Sequence, residues 1–248
     1  FSKVETSEIA KVTYLIQGRV APFYEPIEIG MAEKTIAEAI ARAYGSNKDE
    51  VLKEYGKMGD LGKVAHNLAK KEDKGLTVSD IFEKLLEIAK TSGAGTVEKR
   101  ISILVSLLEG VDQAGAKHLV RIPLGTSRLG IGDPTVLDGF AQAKLGDRKR
   151  RKLLEEAYNK TSDLGLIGQT LWQGGLKSVE KLDVSIGRPI RSQLAERLPN
   201  PKTILDKFGG MAHVQFKYDG FRVQIHKQGK QVRLFSRNLE ETTAALPD

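Results

Sequence analysis

The chain has 248 residues, a formal net charge of +7 and no cysteine, which suits one large domain or two smaller ones and excludes disulfides and thiolate metal sites. Its four histidines, His66, His118, His213 and His226, form no H-E-x-x-H pattern, which argues against a zinc centre. The positive charge favours an anionic partner but does not separate nucleic acid from a membrane surface. No apolar run reaches the roughly 18 residues of a membrane span, so none is expected. A reducing, cytoplasmic setting suits the missing cysteines. The chain opens at Phe1-Ser2-Lys3 without a methionine and stops at Leu246-Pro247-Asp248, so both ends are expected to be cut from a longer protein.

Val12, Leu15, Ile16 and Val20 fit the stripe of a first helix, which Pro22 ends. Ile36, Ala39, Ile40 and Ala43 share one face of a second helix over 31–44. Gly59-Asp60-Leu61-Gly62 then finds an echo in Ser162-Asp163-Leu164-Gly165. Each is followed by a Gly-Leu phrase, at Gly75-Leu76 and Gly175-Leu176, which leaves open a pseudo-duplication of helical halves. Asp80 with Glu83 reads as a capping box for a helix carried by Ile81, Leu85, Ile88 and Ala89. Thr96 is placed to cap the next helix, with Ile101, Leu104, Val105 and Leu108 inside it. Asp133 before Pro134 reads as another N-cap, and the basic run 148–152 leads into a helix with Leu153, Leu154 and Ala157.

Two loops have the composition of phosphate sites. One is Thr91-Ser92-Gly93-Ala94-Gly95-Thr96, ahead of Lys99 and Arg100. The other is Gly125-Thr126-Ser127-Arg128-Leu129-Gly130. Small residues expose backbone amides, the following helix N-terminus attracts anions, and the cations add charge. Gly93, Gly95, Thr96, Lys99, Arg100, Thr126, Ser127 and Arg128 are the candidate contacts. The same residues also make ordinary helix–helix turns, and the 148–152 run is equally well a solvated face.

Near residue 185 the pattern changes. Pro189, Pro199 and Pro201 interrupt it around a short predicted helix over 193–198, and strand alternation follows. Residues 1–185 therefore read as a helical domain and 186–248 as a second, more strand-like one. Val214-Gln215-Phe216-Lys217-Tyr218 alternates, and alternation resumes in Val223-Gln224-Ile225-His226. Asp219-Gly220 is placed to turn the chain between two strands, with Lys217 at a strand end and Asp219 and Arg222 close by. A lysine amine attacks only when neutral, which burial or a nearby cation favours. By spacing alone, a solvated surface lysine is the commoner case.

Lys217-Tyr218-Asp219-Gly220-Phe221-Arg222 resembles the K-x-D-G-x-R motif of the covalent nucleotidyltransferases, which include ATP-dependent DNA ligases, RNA ligases and capping enzymes. Leu234-Phe235-Ser236-Arg237-Asn238-Leu239-Glu240 resembles the F-S-R-N-x-E element that follows it in replicative-type ligases of archaea and eukaryotes. Gly187-Arg188-Pro189-Ile190-Arg191 is similar to the segment that opens their adenylation domain. The resemblance implies a mainly α, all-helical DNA-binding domain, then a truncated α+β nucleotidyltransferase domain with antiparallel strands. Its 125–132 loop is similar to the family's L-R-I-G loop, with the arginine shifted to Arg128. The large helical region distinguishes this pattern from capping enzymes.

The resemblance also assigns roles. Lys217 is the nucleophile that takes AMP from ATP. Arg222 and Arg237 contact the nucleotide, Asp219 lies near the reacting phosphates, and Glu240 lies near the nick, where it helps hold Mg2+. Gln215 stands where most relatives have a glutamate that reads adenine; it keeps a carbonyl acceptor but no charge, which leaves the strictness of ATP selection open. The implied partner is nicked duplex DNA, in replication, repair and recombination, with a sliding clamp by analogy only and a monomeric protein. Later family elements are absent from these residues, so this chain is expected to hold DNA better than it catalyses. A non-catalytic duplex-binding module and an RNA ligase or capping-type enzyme are the alternative readings.

Overall fold

Side-chain caps decide where most of the early helices begin. The computed structural model describes residues 1–70, 72–193 and 195–246. After α1 (Ile9–Ile16) and α2 (Glu33–Tyr44), Asn47 opens α3 (Lys48–Met58) and Asp60 opens α4 (Leu61–Leu68), each accepting hydrogen bonds from first-turn amides. Thr77 caps α5 (Val78–Lys90), and Asp112 caps α7 (Gln113–Arg121). Between them α6 (Thr96–Leu108) starts from a glycine, as α8 (Asp133–Leu145) does later. The basic run forms a single 3-10 turn over Arg148–Arg150 and enters α9 (Arg151–Thr161). Asp163 then caps α10 (Leu164–Gly174), which the short α11 (Leu176–Glu180) follows.

Three capping expectations shift. The capping box of α5 is Thr77 with Asp80, not Asp80 with Glu83: Thr77 accepts from the Asp80 amide, and the Asp80 carboxylate accepts from the Thr77 amide at 2.9 Å. The hydroxyl is the outer partner and the acid the inner one. Thr96 is the first helical residue behind an N-cap glycine, Gly95, and its hydroxyl turns back to the Gly93 carbonyl. Asp133 likewise sits one residue inside its helix, behind Gly132. Its carboxylate accepts from the Tyr158 hydroxyl at 2.6 Å and from Gln17 at 3.2 Å, so tertiary partners take the oxygens a cap would use.

Two apolar cores form. The larger gathers Ile36 and Ile40 of α2, Leu61 of α4, Leu104 and Leu108 of α6, and Leu119 of α7. The smaller gathers Phe140 of α8, Leu154 of α9, Ile167 and Leu171 of α10, and Ile9 of α1. Helix α1 joins them, since its Tyr14 and Leu15 also pack on the larger core. The repeated Asp-Leu-Gly phrase does the same work in each. Asp60 and Asp163 are both buried N-caps in extended backbone. The glycine two residues on lets a neighbour come close: an added Cβ would lie 2.6 Å from the Lys117 carbonyl oxygen at Gly62 and 2.3 Å from the Tyr14 ring at Gly165.

The C-terminal part departs from two expectations. No helix forms over 193–198: residues 193 and 195–198 are irregular, and Leu194 lies outside the described residues. The helix is α12 (Pro201–Lys207), because Asn200 accepts from the Thr203 amide at 2.9 Å and Pro201 is preorganised for the first helical position. The alternation before Lys217 makes no strand either. The hairpin is β1 (Val223–Gln228) with β2 (Gln231–Ser236), antiparallel, Val223 opposite Ser236 and Gln228 opposite Gln231. Its turn is at Gly229-Lys230, with Gly229 at φ +60°, not at Asp219-Gly220. Alternation marks two faces, but a strand also needs a partner for its amides and carbonyls. Residues 211–222 have none among the described residues. No described helix is long and apolar enough to cross a membrane.

Candidate nucleic-acid interface and nucleotidyl site

The two glycine loops open helices whose N-caps supply no side-chain acceptor, Gly95 for α6 and Gly132 for α8. The first-turn amides of α6 are left for an external anion, whereas α8 offers fewer, because Pro134 has no N–H and the Thr135 amide donates to the Gly132 carbonyl at 2.9 Å. Gly93, Gly95, Gly125 and Gly130 all have φ between +64° and +92°, where a side chain would be strained. Thr126 is exposed and Ser127 half-buried.

The segment 27–31 ties the loops together. Arg100 donates to the Gly30 carbonyl at 3.3 Å and to the Thr91 carbonyl at 3.2 Å, while the Met31 amide donates to the Pro123 carbonyl at 3.0 Å. Arg100 is thus a brace between segments, whereas Lys99 projects from the surface and pairs with Glu87 at 3.4 Å. A cavity of about 340 Å3 opens between residues 27–31 and 122–125, with Gly18 and Arg19 on its wall. The Arg19 guanidinium lies 4.0 Å from the Phe23 ring centre, and its Nε is buried with no partner among the described residues. Burial lowers its pKa, against the pull of Glu28 and Glu240. Arg19 carries no sequence signal: it is one cation among 39 lysines and arginines, and only the fold sets it beside the second loop.

Arg128 is held from below. Its Nη1 lies 3.3 Å from the buried Asp60 carboxylate, and its Nη2 donates to the Gly59 carbonyl at 3.0 Å. The same carboxylate forms a close ion pair with buried Arg121 and accepts from the Gly62 amide at 2.9 Å. Burial alone would raise the Asp60 pKa. The Arg121 hydrogen bond, the charges of Arg121 and Arg128, and the Gly62 amide together bring it below the usual carboxylate value. Arg128 itself takes φ +50°, unusual for a side chain with a Cβ, so its backbone follows from this anchorage.

Gln215, Lys217, Asp219 and Arg222 lie along the irregular 211–222 stretch, all exposed, and none makes a hydrogen bond or ion pair among the described residues. Their neighbours Val214, Phe216 and Tyr218 are also exposed, at 92%, 87% and 87%. The structure places these four residues in one stretch without packing them into a site. The 236–240 loop, in contrast, is built. Phe235 is fully buried, and the Ser236 hydroxyl accepts from the Asn238 amide at 3.2 Å and the Glu240 amide at 3.3 Å. Leu239 is buried at φ +70°. Arg237 and Asn238 border an open cleft of about 410 Å3, with Phe23, Asp133, Arg191 and Ser192 opposite. Glu240 is exposed. Among the described residues no three acidic or histidine side chains converge as metal ligands.

A helical lobe with two glycine loops, followed by a K-x-D-G-x-R stretch and a hairpin ending in F-S-R-N-x-E, has the layout of the polynucleotide ligase class. The chain belongs to the DNA ligase family: residues 1–141 match the family model described as DNA ligase N terminus, and residues 192–248 match the ATP dependent DNA ligase domain. It is 44% identical over 248 residues to a protein named probable DNA ligase from Dictyoglomus thermophilum, covering all of this chain and 42% of that protein. It is 41% identical over 261 residues to DNA ligase 2 of Thermofilum pendens, covering all of this chain and 43% of the relative. With DNA ligase 1 of Methanosarcina barkeri the identity is 38% over 245 residues, with 99% and 45% coverage. The chain therefore spans less than half the length of these curated relatives.

Proposed function

We propose that residues 1–185 grip nicked duplex DNA and that residues 186–248 begin the adenylation domain of an ATP-dependent DNA ligase. One observation carries this reading: a lobe matched as DNA ligase N terminus precedes, on the same chain, the Lys217 motif and the Arg237 loop. In the proposed reaction the neutral Lys217 amine attacks the α-phosphorus of ATP. A phosphoramidate bond forms, the α–β phosphoanhydride breaks, and pyrophosphate leaves. AMP passes from lysine to the nick 5′-phosphate. The 3′-hydroxyl then attacks that phosphate, loses its proton, and expels AMP. One unfavourable condensation becomes three displacements with good leaving groups. Arg222 and Arg237 supply planar guanidinium donors for ribose and phosphate oxygens. Mg2+ would reduce the charge on the triphosphate, and Asp219 and Glu240 are the carboxylates proposed to face it. A sliding clamp as partner and a monomeric state are proposed by family analogy, and a cytoplasmic setting from the absence of cysteine.

For DNA, Lys99, Thr126, Ser127, Arg128 and the amides around Gly93, Gly95 and Thr96 are the proposed phosphate contacts. Arg19, beside the second loop, joins them. Such contacts fix position without reading sequence. Nicked-duplex affinity, measured by anisotropy over a salt series, is expected to fall linearly with salt on logarithmic axes, and Lys99→Ala is expected to flatten the slope by about 1. An affinity insensitive to salt overturns the interface.

Gln215 is proposed to read the adenine amino group through its side-chain carbonyl. The full gene product is then expected to be labelled by ATP in preference to GTP, with Gln215→Leu removing the preference. Equal labelling by both nucleotides in the unmodified protein would dismiss that role.

A further inference from the structure

We infer that Arg233 is a positioning residue: it docks the β1–β2 hairpin on the helical lobe and thereby fixes the loop that carries Arg237 and Glu240. The inference rests on the proposed nucleotidyl function for the meaning of that loop, but the docking itself stands on geometry. Among the described residues the hairpin pairs with no third strand, and two strands alone are marginally stable, so the contacts it makes on the helical lobe orient it there. Arg233 projects from β2 into acceptors from three separate stretches of chain. Both Nη atoms lie 3.4 Å from Glu25 Oε1, Nη2 lies 2.9 Å from Glu241 Oε2 and 3.4 Å from the Tyr24 carbonyl, and Nη1 lies 3.4 Å from the Gly187 carbonyl. The planar fork is suited to this divergent set, whereas a single ammonium is not.

The acceptors are themselves anchored. The Tyr24 hydroxyl donates to the buried Asp163 carboxylate at 3.0 Å, so the 24–25 turn is fixed to the second Asp-Leu-Gly cap. The connecting segment is held from both sides. Ser162 donates to the Pro189 carbonyl, and the Arg191 amide donates to the Asn159 carbonyl at 2.8 Å. From the hairpin, Gln224 bonds both backbone groups of Ile190, at 3.0 and 2.6 Å, and His226 Nδ1 accepts from the Gly187 amide at 3.0 Å. Burial and the Arg233 charge lower the His226 pKa, favouring the neutral ring this acceptor role needs. Gly187 adopts φ +87°, and a Cβ there would lie 3.3 Å from Arg233 Nη1, so the glycine admits the guanidinium. Two residues beyond Arg233, Phe235 is buried under the guanidinium at 5.0 Å and leads straight into the Ser236-capped loop. The clamp therefore sets where Arg237 meets the cleft wall formed by Phe23 and Arg191.

The test is hydrogen exchange on the full gene product, with nick-sealing kinetics beside it. Arg233→Met is expected to speed exchange of the 187–191 and 236–240 amides by about tenfold or more while α6 and α7 amides keep their rates. The sealing kcat is expected to fall about tenfold to a hundredfold, with duplex affinity unchanged. Glu25→Gln, which removes one charged acceptor, is expected to shift the same amides less, and the double variant to be no worse than Arg233→Met. Arg233→Lys should restore little. Unchanged exchange at 236–240, or a uniform rise including α7, overturns the docking. Altered exchange with unaltered kcat in an active enzyme overturns the positioning role. If the unmodified protein never takes up AMP, the nucleotidyl reading fails, and the exchange result still decides the clamp.

Discussion

Lys217→Ala in the full gene product is expected to abolish attachment of AMP and to reduce nick sealing by roughly a thousandfold or more, the scale on which removing a covalent nucleophile acts. The measurement is intact mass after incubation with ATP and magnesium, followed by peptide mapping. The unmodified protein should gain the mass of one AMP on the peptide containing Lys217, and the variant none. Lys217→Arg should be equally inactive, because a guanidinium stays protonated and has no lone pair to offer. Duplex affinity should be unchanged in both variants, since Lys217 is not among the proposed phosphate contacts and makes no ion pair among the described residues. An AMP adduct that persists in Lys217→Ala, or maps elsewhere, would remove Lys217 from the chemistry.

The second large effect concerns stability. Asp60→Ala is expected to destabilise the protein by about 3–5 kcal/mol, because it leaves the Arg121 guanidinium buried without its counter-charge. The side chains of Asp60 and Arg121 are only 3% and 8% exposed, so water cannot replace the lost partner. Loss of the N-cap of α4 contributes to the same cost. Asp60→Asn should fall between, since asparagine still caps the helix but carries no charge. Replacing both Asp60 and Arg121 with apolar residues should cost less than Asp60→Ala alone, because the burden lies in the orphaned charge. Urea unfolding midpoints check all three.

The pH dependence has a definite sign. The folded-state pKa of Asp60 is depressed, so the carboxylate's contribution is complete above its ordinary pKa and is lost as pH falls through the folded value. The unmodified protein should lose stability in that acidic window by more than Asp60→Asn does. Equal acid sensitivity in the two proteins would mean that the ion pair contributes nothing. Because Asp60 also holds Arg128, Asp60→Asn should in addition loosen the 125–132 loop.

Much of the helical lobe was legible in order and type. Ile36, Ala39 and Ile40 announced α2, and Leu85 with Ile88 announced α5, because burying one face imposes a helical period that can be counted. Cap positions were less legible. Thr77, Gly95 and Gly132 each displaced an expected cap, because several nearby residues can accept a first-turn amide and packing selects one. For the candidate site, the motif around Lys217 and the loop at 236–240 were readable as short strings. Arg19 and Arg233 were not, since their significance lies in which distant segments they meet.

The sequence by itself determined the family, the helical character of the first 185 residues and the identity of the nucleophile candidate. Each depends on local order: a hydrophobic period, a motif spacing, a glycine before a helix. Only the tertiary structure decided that Arg128 is tethered to Asp60, that Arg100 braces two loops, and that Arg233 joins the hairpin to Glu25. It also decided that the apolar alternation at 214–218 would not become a strand. The reason is common to all four. A charge or a backbone hydrogen-bonding group is settled by the partner that reaches it in space, and residues far apart in the chain supply that partner only after folding.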